Sequence, residues 1–139
     1  MKNVQLLADA GVDFLVIDAT NGIAYPEQGN SLLLAMEAVR KQGGKAPQIV
    51  FYTNTASGNT MQLIYDSFYK EGATYRYPDS WFMLDGKPLI IGITKEIQER
   101  NYKNFFTFRE SQWPTVGEVV NGWPWIEFTR PQKVSLLTD

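Results

Sequence analysis

The sequence contains neither cysteine nor histidine, and these two absences remove much of the common catalytic and metal-binding chemistry before any motif is considered. Without cysteine there is no disulfide, thiolate metal site or cysteine nucleophile, although reducing and oxidising compartments both tolerate cysteine-free chains. Without histidine the commonest general base and the commonest transition-metal ligand are gone. A serine–histidine triad is excluded within the chain and a zinc hydrolase is disfavoured. Acid–base chemistry therefore falls to Asp, Glu, Tyr or Lys, with no cofactor or metal expected.

A strong charge of one sign is also missing. The formal net charge is −2 and the basic residues are scattered, so there is no electrostatic footprint for nucleic acid or for an anionic membrane. No apolar run approaches the roughly 20 residues that span a bilayer. The N-terminal segment has the pattern of an amphipathic helix interrupted by charge, so a soluble chain without an export signal is expected. At 139 residues, 44% hydrophobic and 14% aromatic, the chain has the size and apolar content of one domain with one core.

What is present is an alternation of helical and strand-like patterns. Val4, Leu6, Leu7 and Ala10 share a helical face, and Gly11 follows where a helix end favours a left-handed residue. Asp13 to Asp18 is a nearly continuous apolar run, as in parallel strands covered on both faces. Leu32, Leu33, Met36 and Val39 recur at helical spacing, with Asn30 or Ser31 as cap and Gly43-Gly44 as the stop. Gln48 to Thr53 is a second buried strand, and a third helix is predicted from Ser57 or Asn59 to Gly72. Asp85-Gly86, between two apolar segments, is the strongest hairpin signal in the chain. Thr94 caps a short helix to Arg100, Phe105 to Arg109 form a further strand, and Trp125 to Phe128 a last one.

This order predicts an α/β domain over residues 1–139, with a mainly parallel sheet of right-handed βαβ units. A complete (β/α)8 barrel takes about 250 residues, so the chain supplies only four or five of its eight strands. A partial, half TIM-like barrel and an open doubly wound sheet both fit. In either, ligands bind beyond the carboxyl ends of the strands.

That rule selects the candidate residues. The first strand ends in Asp18, Thr20 and Asn21, the second in Tyr52 and Asn54, and the fourth in Arg109, Glu110, Gln112 and Trp113. Asp18 has two readings: an Asx-turn closed by Asn21-Gly22, or a carboxylate at a strand mouth. Glu110 also follows a predicted strand, and two acids on one rim are the apparatus of glycoside hydrolysis. Asp18 and Glu110 are accordingly the candidate catalytic pair. Arg109-Glu110 is equally read as a structural ion pair or a solvated loop. Glu127 sits between Ile126 and Phe128, where alternation puts it on the solvent face of an edge strand or in a barrel interior.

Asn21, Asn54 and Gln112 are candidates to bond sugar hydroxyls, with Tyr52, Trp113 and Glu127 completing the candidate substrate-binding set. Aromatic faces stack on sugars and also fill cores. Trp113 is singled out because it lies three residues beyond Glu110 in a Ser-Gln-Trp-Pro loop. Gly43-Gly44-Lys45 and Asn121-Gly122 lack the full Walker and dinucleotide-binding patterns, so nucleotide binding is set aside.

The segments Asp18-Ala-Thr-Asn-Gly22, Gln48-Ile-Val-Phe-Tyr-Thr-Asn54, Asp85-Gly-Lys-Pro-Leu-Ile-Ile91, Phe105-Phe-Thr-Phe-Arg-Glu-Ser-Gln-Trp113 and Gly122-Trp-Pro-Trp-Ile-Glu127 resemble consecutive pieces of bacterial glycoside hydrolase-like (β/α)8-barrel proteins. The resemblance covers nearly the whole chain and implies sugar or polysaccharide binding, or glycoside hydrolysis, in a periplasmic or extracellular setting. It assigns no catalytic residue. Such proteins are several hundred residues long and the chain is similar to their middle, which implies a fragment of a larger barrel. A half-barrel exposes sheet edges, so self-association into a homo-oligomer is expected, and a noncatalytic self-associating module is the alternative to an enzyme.

Overall fold

The two apolar runs nearest the N-terminus form strands β1 (Phe14–Ala19) and β2 (Gln48–Thr53) in the computed structural model, which describes residues 1–126. Helix α1 (Lys2–Asp9) precedes them and is followed by Gly11 at φ 87°. Between the strands, α2 (Pro26–Lys41) begins earlier than Asn30 or Ser31 would set it. Pro26 occupies its first turn, where a fixed helical φ is pre-organised and the missing N–H is not needed. Helix α3 (Ser57–Ile64) gives way to a π-helical turn at Tyr65–Tyr69, so the predicted third helix is in two parts.

Asp85 and Gly86, at φ 52° and 81°, turn β3 (Met83–Leu84) back onto β4 (Lys87–Gly92), as their sequence requires. Thr94–Glu96 form a short 3-10 turn rather than a helix reaching Arg100. β5 (Thr107–Gln112) starts and ends later than the Phe105 to Arg109 segment, and β6 (Gly122–Pro124) precedes Trp125. Glu127 and Phe128 lie outside the described residues.

All neighbouring pairs on the path β1-β2-β4-β5-β6 are parallel, and β3 adds antiparallel to β4. The strand order follows the chain without reversal. Right-handed crossovers then fall on one face at every step, which separates a barrel from a doubly wound sheet, where the order reverses and helices cover both faces. The sheet curls into a half-barrel, a partial TIM-like arrangement.

Two cores lie on its two faces. On the convex side, Val4, Leu33, Met36, Val39, Met61, Ile64 and Phe68 of the helical layer pack with Ile49, Phe51 and Ile90 of the strands. On the concave side, Val50, Tyr52, Leu89 and Ile91 are buried under Phe14, Phe82, Leu84, Trp123 and Trp125. Phe82 and Leu84 enter this core because the β3 segment wedges between the amino-terminal ends of β2 and β4. The Phe82 N–H donates to Ile49 O at 3.2 Å, while β2 and β4 pair directly only at Phe51 with Ile90 and Tyr52 with Ile91. The remaining mouth of the half-barrel, at the carboxyl ends of the strands, is where the candidate residues gather.

Candidate functional site

Register fixes which candidates share a face. Asp18 is level with Tyr52, Tyr52 with Ile91, and Ile91 with Arg109, so these four form one row across the concave side. Glu110 follows Arg109 inside β5 and is level with Gly92. Side chains alternate along a strand, so Glu110 belongs to the opposite face from Asp18. The structure therefore does not bring Asp18 and Glu110 together as a pair flanking one ligand. The sequence placed Glu110 just past a strand end, whereas β5 runs on to Gln112 and pairing with β4 fixes the face that Glu110 occupies.

Asp18 forms the local turn that its loop chemistry allows. Its Oδ1 accepts the Thr20 N–H at 2.9 Å and the Thr20 hydroxyl at 2.7 Å, and Gly22 follows at φ 84°. The Thr55 N–H donates to Thr20 O at 2.9 Å, tying this loop to the one after β2. Asn21 is exposed on the same loop.

Tyr52 is a brace inside the half-barrel, only 2% exposed. Its hydroxyl donates to Trp123 O of β6 and accepts the Gln112 N–H of β5 at 3.1 Å. Burial pushes its phenol pKa above the ordinary tyrosine value, against hydrogen bonds to Ser111 and Gln112, and the nearby Glu110 charge pushes the same way. The Gln112 side chain is also engaged, with Oε1 accepting the Val119 N–H at 3.1 Å. Tyr52 is thus buried rather than open to a ligand, while Gln112 is half-buried at the end of β5. Trp113 stacks on Trp125, with centroids 6.1 Å apart and planes at 10°, and Trp125 lies 4.8 Å from the Tyr52 ring.

Glu110 and Asn54 both line a cleft of about 720 Å³ between the turn after β4 and the loop joining β5 to β6. The Glu110 carboxylate is held by Thr94, whose hydroxyl donates to Oε2 at 2.6 Å and whose N–H donates to the same oxygen at 3.2 Å. Thr94 is in turn fixed from below: Ser57 Oγ, fully buried, accepts the Ile93 N–H at 2.9 Å and shares a 2.7 Å bond with Thr53 Oγ1. Asn54 Oδ1 accepts the Ser111 hydroxyl at 2.9 Å. The far wall is Val116, Val119 and Val120.

Left-handed backbone at residues other than glycine is uncommon and gathers at functional rims. Tyr25 and Ala56, in the loops that follow β1 and β2, adopt it at φ 47° and 48°, and Asn121, directly before β6, at φ 54°. Arg109 turns the other way, with Nη2 3.5 Å from Asp85 at the β3–β4 turn. Ser111 and the three valines carried no sequence signal: a serine within a strand and valines in an aperiodic loop are ordinary. Among the described residues no cluster of three Asp or Glu side chains is placed to hold a metal ion.

The arrangement offers a carboxylate that accepts hydrogen bonds, an amide lining the same cleft, and an apolar wall. The two polar groups suit a neutral hydroxylated ligand. Compared with family models, curated proteins and solved structures, the chain matches none of them.

Proposed function

We propose that this chain is a carbohydrate-active barrel segment whose sugar site is the cleft at the carboxyl ends of β4 and β5, with Glu110 as its acidic group. The observation that carries the proposal is the Glu110 carboxylate, anchored by Thr94 in a cleft that Asn54 also lines, near the strand ends where such folds bind ligands. A carboxylate accepts up to about four hydrogen bonds, so the two from Thr94 leave capacity for sugar hydroxyls. Glycoside hydrolysis by Asp18 and Glu110 acting as a pair is the weaker form, because register sets them on opposite faces. Binding is the activity expected of the cleft as described.

Binding of the purified chain to a glycan array, beside a Glu110→Gln control and with the size of the same sample measured, tests this. Sugar retained by the parent and lost in the variant supports it. A folded oligomer that binds no sugar favours the alternative, a noncatalytic self-associating module. That alternative has its own support in β1, an outer strand of the described sheet whose Val16 is 45% exposed.

A further inference from the structure

The wall facing Glu110 and Asn54 is built from aliphatic side chains that a sugar does not need. Val116 and Val120 are 62% and 50% exposed, and with Val119 they place three branched aliphatic residues within five positions of one loop lining the cleft. The loop is tied down at several points: Val116 N–H to Trp113 O, Gly122 N–H to Val119 O, Glu110 N–H to Asn121 O, and Val119 N–H to Gln112 Oε1, at 2.9–3.1 Å. An anchored apolar wall costs little ordering when it meets a ligand. The opposite wall is polar, and no hydrogen bond among the described residues engages the Asn54 amide nitrogen, which leaves donors for hydroxyl groups.

We propose that the cleft takes a glycoside carrying an apolar aglycone, with the sugar against Glu110 and Asn54 and the aglycone against Val116, Val119 and Val120. The proposal rests on the carbohydrate reading above and deepens it to a substrate class. A second sugar is the poorer occupant of the valine wall, because its hydroxyls would lose water without gaining partners there. An alkyl or aryl group has no such cost and covers the exposed valines.

Isothermal titration with the methyl, hexyl and phenyl glycosides of one sugar, and the disaccharide of that sugar, tests it, with glucose, galactose and mannose taken in turn. The hexyl glycoside is expected to bind at least about tenfold more tightly than the methyl glycoside, the effect of taking about two methylenes out of water. Val116→Ser and Val120→Ser should each lower the hexyl-to-methyl affinity ratio by about threefold, since each loses one apolar contact of the wall. Both valines are exposed, so thermal unfolding of the variants should match the parent, and the hexyl-to-methyl ratio of the parent stands independently of any variant. A larger gain with phenyl than hexyl would support an aryl aglycone, and the reverse an alkyl one. Equal affinity for methyl and hexyl glycosides overturns this inference and leaves the carbohydrate reading standing. A disaccharide bound as tightly as the hexyl glycoside also overturns it. Failure of every glycoside to bind overturns both.

Discussion

The indole of Trp123 on β6 lies 6.2 Å from the ring of Phe14 on β1, so the outermost described strands of the half-barrel meet through their side chains across its concave face. Phe14 also packs at 4.3 Å on Phe82, which the β3 segment brings in from below. The curl of the sheet is thus sealed by aromatic rings where a complete barrel would use further strands.

Trp123→Ala should destabilise the chain by about 2–3 kcal/mol, less than the full cost of a buried tryptophan because Trp123 is only half-buried. Trp123→Phe keeps an aromatic ring and should cost about 1 kcal/mol. Urea unfolding measures both, and equal stability of all three chains would show that the Phe14 contact closes nothing.

Tyr52→Phe keeps the ring but leaves Trp123 O and the Gln112 N–H without the hydroxyl that joins them. The expected loss is about 1–3 kcal/mol, the usual cost of stranding buried polar groups. Because the hydroxyl spans two strands, hydrogen exchange at the Gln112 amide should rise well beyond the global change in stability. Unchanged exchange there argues against the brace.

Tyr69 presents the opposite case. It is fully buried against Phe51, Trp81, Phe105 and Phe106, and its hydroxyl has no partner among the described residues. Tyr69→Phe should therefore be neutral or stabilise by up to about 1 kcal/mol, since it removes a polar atom that gains nothing by burial. A loss of 1 kcal/mol or more on thermal unfolding would reveal a partner for the hydroxyl, by the same reasoning.

Tyr69, Tyr52 and Tyr102 share a pH signature. Burial raises the pKa of each above the ordinary tyrosine value. Their neutral forms are favoured in the folded state, so this contribution is complete below the unfolded pKa of about 10 and is lost as pH rises from there through the folded values. Stability measured by denaturant should fall over that alkaline window. Tyrosinate absorbance should show these three residues ionising only together with unfolding. Ionisation of these three ahead of unfolding contradicts the burial.

Gly92 faces Met61, Ser57 and Thr53 so closely that an added Cβ would lie 2.6–2.7 Å from their side-chain atoms. Gly92→Ala should cost about 1–3 kcal/mol by overpacking. It should also disturb the Ser57 contact that fixes Ile93, and with it the Thr94 bonds to Glu110. A crystal structure of the variant with Thr94 and Glu110 unmoved would show that α3 does not position the cleft.

Much of this architecture was legible in local pattern. β2 has the predicted bounds, β1 differs by one residue at each end, and Asp85-Gly86 makes the predicted turn. These are short-range effects: apolar runs, left-handed turn residues and helix stops act within a few positions. α2 begins earlier because one proline can start a helix where no side-chain cap exists. β5 was the consequential displacement. Phe105 and Phe106 read as strand because aromatics favour strands, but they pack into the convex core ahead of it, and hydrogen bonding to β4 begins only at Thr107.

By itself, then, the sequence determined an α/β chain without thiol or imidazole chemistry, with strands ending in polar residues at one rim. Which of those residues face one another was decided by tertiary structure, because strand period is two and a shift of one position exchanges the faces. Pairing register sets Glu110 on the face opposite Asp18 and within reach of Thr94, and the curl of the sheet brings Trp123 and Gln112 onto the Tyr52 hydroxyl, making that side chain an internal brace. Pairing register and the curl of the sheet depend on contacts between segments far apart in the chain, and no local pattern encodes them.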